Sequence, residues 1–226
     1  LKLPEGLTNI GESAFLGCSG LTEMELSDQV ETLGASAFAF CNGLLSVRLG
    51  SGLTGIGHET FLACRALERV DIPDGVREIG DAAFRSCAVL WAVGLPAGLV
   101  ELGDSVFEGT AIETLSLPHA LKRVGKRAFA DCYRLTTVIL PPSRVTLEKG
   151  VFAGCAGIEL LVLPDRTLFL SRKLEKWQLT EDATVLRHAE LRVSSLLAEY
   201  GNPDVTPERR EELKSEIRAA MRGMKG

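Results

Sequence analysis

Apolar positions along the chain fall into one phrase that returns seven times. Its clearest copy runs from Leu67 to Phe84 and reads L-x-x-V-x-I-P-x-x-V-x-x-I-G-x-x-A-F. The phenylalanines that close the phrase stand at 15, 38, 61, 84, 107, 129 and 152, a spacing of 23 residues with one of 22. A fixed period of this length predicts a solenoid, in which each unit buries its apolar face only by stacking on the next. Within the unit, Leu67, Val70 and Ile72 predict a short parallel strand with these side chains pointing inward. Pro73-Asp74-Gly75 predicts a turn, because Pro fixes φ and Gly accepts positive φ. Val76 and Ile79 predict a second short extended stretch. Gly80 follows, in phase with Gly11, Gly34, Gly57, Gly103 and Gly125. A glycine at constant phase marks a corner with special backbone angles or a close approach between coils. Ala83 and Phe84 then turn inward, with Cys87 and Leu90 further along a short helical or 3₁₀ segment.

The departures carry information too. The fifth unit reads Phe107-Glu108-Gly109-Thr110-Ala111-Ile112, one residue short and with Thr in place of Cys. The deletion is expected to be absorbed in the connecting turn without moving the strand register. The seventh unit has Glu148 where the corner glycine belongs, and Pro141-Pro142-Ser143-Arg144 is irregular. Periodicity stops after Leu163-Pro164, as terminal units of solenoids commonly relax the pattern. Leu1-Lys2-Leu3-Pro4 matches Val70-Asp71-Ile72-Pro73, so the chain is expected to be a fragment whose upstream part, with any export signal, has been removed.

The signature I-G-x-x-A-F-x-x-C-x-x-L-x-x-V-x-L-P, present over residues 1–164, resembles the BspA-like leucine-rich repeat family. The resemblance implies an α/β-type leucine-rich-repeat solenoid. Its parts are mostly short parallel β-strands with short helical or 3₁₀ turns, in a right-handed curved stack followed by C-terminal α-helices. It also implies a bacterial cell-surface or secreted protein that binds other proteins, host matrix components among them. The family pattern contains no catalytic residues, so no enzyme activity and no cofactor are expected. The expected domains are the solenoid, 1–164, with about seven repeats, and a helical C-terminal capping region, 165–226.

In that tail, Thr180-Glu181-Asp182 offers an N-cap and an acidic first turn. Leu186, Ala189, Val193, Leu196, Leu197 and Tyr200 fall on one helical face, and Gly201 supplies the stop. Thr206-Pro207-Glu208 opens a second helix with a cap and an N1 proline, striped by Leu213, Ile217, Ala220, Met221 and Met224. Leu168, Phe169, Leu174 and Trp177 are expected to form a docking segment. Isolated helices of this length are marginal in water, so their apolar faces need a partner.

Composition narrows the function. The chain of 226 residues has a net charge of −5. Residues 1–165 hold 13 Lys and Arg against 20 Asp and Glu, whereas residues 166–226 hold 12 against 10. A weakly acidic stack is a poor match for nucleic acid, which rewards a concentrated basic face. No run of 18 apolar residues occurs, so no membrane span is expected. All six cysteines (18, 41, 64, 87, 132 and 155) stand three residues after a repeat Phe. Equivalent residues of adjacent coils point the same way, whereas a disulfide needs particular Cβ vectors, and no C-x-x-C or Cys/His cluster suits zinc. They are expected to be buried, reduced and small. His58, His119 and His188 sit in unrelated settings, and no phosphate-loop motif is present.

Function is therefore expected on a surface. The outward positions of the first strand of each unit run Glu23/Glu25, Ser46/Arg48, Arg69/Asp71, Ala92/Gly94, Thr114/Ser116, Thr137/Ile139 and Leu160/Val162. Glu25, Arg48 and Asp71 predict a ladder of alternating charge. Glu23, Glu25, Arg48, Arg69 and Asp71 are the candidate ligand surface for a protein partner. Ile139, Leu160 and Val162 are the candidate docking surface for the tail. Glu101 is expected to face Arg123, and Asp104 to face Lys126. Lys122, Arg123, Lys126, Arg127 and Arg134 form the one basic cluster, read as salt-bridged to the acidic fifth unit or as an anion or glycan contact. Trp91 is either an exposed binding aromatic or partly buried under a neighbouring coil. Two functions stay open: a non-enzymatic adhesion module, or a structural spacer or self-assembling scaffold with specificity upstream of Leu1. No metal site is expected.

Overall fold

The computed structural model describes residues 3–158, 160–163, 166–169 and 206–222. Each repeat phrase is one coil. The first four coils supply β1 (Asn9–Ile10), β2 (Glu23–Glu25), β3 (Thr32–Leu33), β4 (Ser46–Arg48), β5 (Gly55–Ile56), β6 (Arg69–Asp71), β7 (Glu78–Ile79) and β8 (Ala92–Gly94). Then come β9 (Glu101–Leu102), β10 (Thr114–Ser116), β11 (Arg123–Val124), β12 (Thr137–Ile139), β13 (Thr146–Leu147), β14 (Leu160–Leu163) and β15 (Arg166–Phe169). Among the described residues a helix, α1 (Pro207–Arg222), follows.

The odd-numbered strands β1 to β13 form one seven-stranded parallel sheet, and the longer strands line the other side of the coils. Pairing joins residues one period apart, such as Asn9 to Thr32. Every coil therefore places its inward residue over the last one. Ile10, Leu33, Ile56, Ile79, Leu102 and Val124 are buried in one sheet; Met24, Val47, Val70, Leu115 and Val138 are buried in the other. The repeat phenylalanines stack in a column, with ring centroids from 5.0 Å (Phe15–Phe38) to 5.9 Å (Phe129–Phe152). The coil spacing of about 4.8 Å sets that distance.

The expected short helical or 3₁₀ turns take a particular form. Alternate residues bond back within their own turn and forward to the next coil: Ala39 N–H to Ser36 O at 3.1 Å, but Phe38 N–H to Thr60 O at 2.8 Å and Phe40 N–H to Leu62 O at 2.7 Å. Sustaining this alternation requires left-handed residues four apart, and Ser36 (φ 55°) and Phe40 (φ 60°) provide them, as equivalent residues do in other coils. The corner glycines have another purpose. A Cβ on Gly103 would lie 2.6 Å from the Asp81 nitrogen and 2.8 Å from the Gly80 carbonyl carbon. Close approach between coils, rather than backbone angle, selects glycine there. In the seventh coil, Glu148 replaces the corner glycine, and Gly150 (φ 72°) takes the left-handed place two residues on.

Cys41, Cys64, Cys87, Cys132 and Cys155 are free and buried, while Cys18, in the first described coil, is free but exposed. The buried thiols do more than fill space. Each donates to the Phe carbonyl of the preceding coil, from 2.9 Å (Cys155 to Phe129) to 3.2 Å (Cys132 to Phe107). Burial pushes the Cys64 thiol up to about 12 and holds the Cys87 thiol well above its ordinary value. Thr110 departs from the pattern, its hydroxyl donating to Phe107 O of its own coil at 2.9 Å.

The short fifth unit behaves differently from the expectation. The seven-stranded sheet does continue through it, pairing Glu101 with Arg123. The longer strands do not: β2-β4-β6-β8 and β10-β12-β14-β15 are separate sheets. The lost residue lies immediately before β10, so the shift falls on the ladder between β8 and β10 and interrupts it.

Past the repeats, β15 turns back antiparallel along β14, pairing Leu160 with Phe169 and Leu163 with Arg166. Leu168 and Phe169, assigned from sequence to a docking segment, thus extend a sheet. Helix α1 begins as predicted, with the Thr206 hydroxyl accepting the Arg209 N–H at 3.3 Å and Leu213 buried. The predicted helix from Thr180 to Gly201, and Trp177, lie outside the described residues.

Candidate functional site

Glu23 and Glu25 on β2, Arg48 on β4, and Arg69 and Asp71 on β6 are all exposed, flanking the buried Met24, Val47 and Val70. Strand alternation alone dictates this. Their pairing is less regular than a ladder. Arg48 reaches Glu25 through Nε (2.9 Å) and Nη2 (2.7 Å). Asp71 does not continue the column toward Arg48. It is held by Arg69 of its own strand, with Nη2 3.0 Å and 3.1 Å from the two carboxylate oxygens.

The reason lies in the backbone. β2–β4 and β6–β8 keep three register pairs each, whereas β4–β6 keeps only Ser46 with Arg69. The turn after β4 is Gly50-Ser51-Gly52 where the next coil has Pro73-Asp74-Gly75. Asp28 Oδ1 accepts the Ser51 N–H at 2.8 Å, tying the turn of the second coil to the first. That hydrogen bond also holds the Asp28 carboxyl below its usual value. Leu26 and Ile72, at the phase of Leu49, donate their N–H groups to Arg48 O (2.9 Å) and Gly94 O (3.2 Å). Among the described residues the Leu49 N–H has no such partner.

A depression of about 520 Å³ opens over this splay. Glu23, Glu25, Ser46, Arg48 and Asp71 wall it, and Met24, Val47 and Leu49 form its floor. Four of the five residues picked from sequence therefore meet at one site, and Arg69 stands beside it as the partner of Asp71. The floor residues and the Leu49 N–H were missed. The Gly-Ser-Gly turn lacking proline was the available signal. Chemically, the site offers an apolar base, a backbone donor and charged groups in exposed pairs. Such pairs are worth about 0–1 kcal/mol each, so a ligand can recruit Arg48 or Asp71 at small cost.

The predicted tail-docking positions lie together on the sheet, with Ile139 paired to Val162 and Leu160 between Thr137 and Phe169. Ile139 and Val162 are half-buried. The basic cluster is largely neutralised by the acidic fifth coil. Arg123 contacts Glu101 at 2.6 Å, Asp104 at 3.5 Å and Glu148 at 3.5 Å. Arg127 contacts Glu108 at 2.9 Å, and Arg134 contacts Glu113 at 3.6 Å. Asp104 meets Lys126 through the backbone N–H, at 2.8 Å, rather than the ammonium. His58 is a turn residue whose Nδ1 accepts the Asp81 N–H at 3.2 Å. Among the described residues no three His, Cys, Asp or Glu side chains gather as a metal site, and no helix is long and apolar enough to cross a membrane.

No curated protein matches the chain. Among solved structures, a leucine-rich repeat protein from Bacteroides ovatus is 23% identical with a TM-score of 0.64, over 70% of this chain and 47% of that one. That likeness is one of fold. The T. pallidum leucine-rich repeat protein is 30% identical with a TM-score of 0.51, over 70% of this chain and 65% of that one. The chain thus spans between about half and two thirds of the length of these relatives. The sequence pattern described as the BspA type leucine rich repeat region matches in six copies, over residues 1–110 and 54–174. Solenoids of this type are typical of bacterial surface proteins and generally non-catalytic. With its 23-residue coils, its Phe column and its thiol-capped turns, the chain belongs to the BspA type leucine-rich repeat family.

Proposed function

We propose that the chain is a non-enzymatic binding or adhesion module of a bacterial cell-surface or secreted protein, and that it engages a protein partner through the depression over β2, β4 and β6. The observation that carries this reading is the splay of β4 from β6, which sets an unpaired backbone donor and an apolar floor among Glu23, Glu25, Arg48 and Asp71. Mixed charge suits a protein better than a polyanion, because local complementarity confers specificity without a large single-sign field. The test is binding to a panel of immobilised host extracellular-matrix proteins, comparing the natural chain with Arg48→Glu/Arg69→Glu. Weaker binding by the double variant to every matrix protein that the natural chain captures supports the site. Capture that is unchanged by the double reversal rejects it.

In this reading residues 1–164 carry recognition and residues 165–226 cap the stack over Ile139, Leu160 and Val162. A second reading, a spacer or self-assembling scaffold, draws on one observation: β1 and β13 are edge strands of the seven-stranded sheet, and open edges invite pairing. Light scattering at high protein concentration separates the two, since a scaffold grows in mass and a monomeric binder does not.

A further inference from the structure

The short fifth unit leaves a second feature that the proposed protein-binding face does not use. Where β8 and β10 fail to pair, the coil wall opens. Val93, at the centre of β8, and Leu95 after it are only half-buried. The corresponding central residues of β2, β4, β6, β10 and β12 are at most 7% exposed. Ile72 and Leu117, at the phase of Leu95, donate their N–H groups to Gly94 O (3.2 Å) and Ile139 O (2.9 Å). Among the described residues the Leu95 N–H has no such bond. Trp91, immediately before β8, is 47% exposed. The outward positions around the break are Ala92 and Gly94 on one side and Thr114 and Ser116 on the other, small and without charge.

The gap does not have room for a peptide strand. Phe84–Phe107 and Phe107–Phe129 hold the three coils at ring separations of 5.3 Å and 5.4 Å, and β7, β9 and β11 remain paired behind the break. An inserted strand would need about 4.8 Å on each of its two sides. What remains accessible is the half-exposed Trp91 indole, the partly buried Val93 and Leu95, the Leu95 N–H and the exposed Ser116, over a stretch of roughly 13 Å from Trp91 to Leu95 at strand rise. A neutral sugar chain has the matching chemistry. Its ring faces are C–H surfaces that lie on an aromatic, and its edges are hydroxyls that accept and donate hydrogen bonds.

We propose that the break between β8 and β10 is a carbohydrate-binding site for an uncharged oligosaccharide, with Trp91 as the stacking platform, Val93 and Leu95 as the apolar floor, and the Leu95 N–H and Ser116 hydroxyl as polar contacts. The site lies one strand beyond the Glu23–Asp71 depression, with Gly94 paired to Asp71, and uses none of the residues that line that depression.

The chain has two tryptophans, Trp91 and Trp177, so Trp177→Phe leaves Trp91 as the sole indole reporter. In that background, cellohexaose, laminarihexaose, chitohexaose and mannohexaose are each titrated while Trp91 emission is followed, with calorimetry in parallel. The expected result is a saturable blue shift with at least one of the four, insensitive to 0.5 M salt on the order of a fully screened field. Trp91→Ala is expected to weaken calorimetric binding about tenfold or more, and Trp91→Phe to retain part of it, as loss of a stacked aromatic implies. Inserting one alanine after Ala111 restores the period of 23; it should close the break and weaken binding about tenfold with Trp91 still in place. Unchanged circular dichroism shows that each variant is folded. The proposal is overturned if none of the four sugars gives saturable binding, if the insertion variant binds as well as the natural spacing, or if only a protein ligand shields Trp91 from quenching.

Discussion

Replacing Gly103 by alanine tests directly whether coils touch through the corner glycines. An added methyl would meet Asp81 Oδ1 at 2.4 Å, Asp81 N at 2.6 Å and Gly80 C at 2.8 Å. Two of those atoms are backbone, so relief requires the fourth and fifth coils to move apart locally. Doing so strains the Gly103 N–H bond to Ile79 O (2.9 Å) and the Asp104 N–H bond to Asp81 Oδ1 (2.7 Å). Overpacking of this kind costs about 1–3 kcal/mol, and weakening one hydrogen bond adds about 1 kcal/mol. Alanine recovers about 0.4–1 kcal/mol by restricting the unfolded chain. The net expectation is a loss of about 2–3 kcal/mol, which for a chain of this size lowers Tm by roughly 4–12 °C. Gly11 is the internal control, because it has the same phase but a Cβ there meets nothing within 4 Å. Gly11→Ala should be neutral or stabilising by up to about 1 kcal/mol. Thermal and urea denaturation followed by circular dichroism read both variants. If the two substitutions change stability equally, close packing between coils is not what selects glycine at this phase.

Alkaline pH should weaken the fold. Burial raises the thiols of Cys41, Cys64 and Cys87 above their ordinary value, so the native state keeps protons that the unfolded state releases above about 8.5. Their contribution is whole below that pH and declines as pH climbs toward about 12 for Cys64, by up to about 1.4 kcal/mol per unit for each thiol. Urea midpoints at pH 7, 9 and 10 check this, and a flat profile contradicts it. An aromatic disulfide reagent should label Cys18 at once and the other five thiols only on unfolding; rapid labelling of two or more would contradict the burial. Arg123→Met should cost about 0.5–1 kcal/mol at low salt and less in 1 M salt, where screening is nearly complete, and a salt-independent loss would mean packing rather than charge. Deleting residues 166–226 should lower solubility and Tm by uncovering the final coils, and unchanged behaviour would refute the capping assignment.

The regular part of the molecule was legible in the residues because it is enforced at every coil. Val70, Ile79 and Phe84 have no core of their own, so their period dictates stacking, and stacking dictates that Asn9 pairs with Thr32 and Glu101 with Arg123. The cysteine phase showed burial and sameness of direction but not the hydrogen bond to the preceding Phe carbonyl. That bond depends on where the carbonyl points once the left-handed residues have turned the chain. The candidate site was legible only as a set of outward positions. The side chains of Arg48 and Asp71 were expected to meet, and they do not, because β4 and β6 keep a single register pair and Arg69 of the same strand holds Asp71.

Both irregular places share that origin. From Ala111 one reads a missing residue, and from Gly50-Ser51-Gly52 an unusual turn, yet neither says which of two sheets will yield. Period and alternation alone determined the solenoid, its buried column and the residues that face outward, since these follow from local geometry repeated at fixed spacing. Only the assembled coils decided where the sheet of longer strands splays at β4–β6 and where it breaks at β8–β10. Strand pairing is a competition between neighbouring coils, and its outcome depends on hydrogen bonds and contacts made at the same time on the opposite side of the stack.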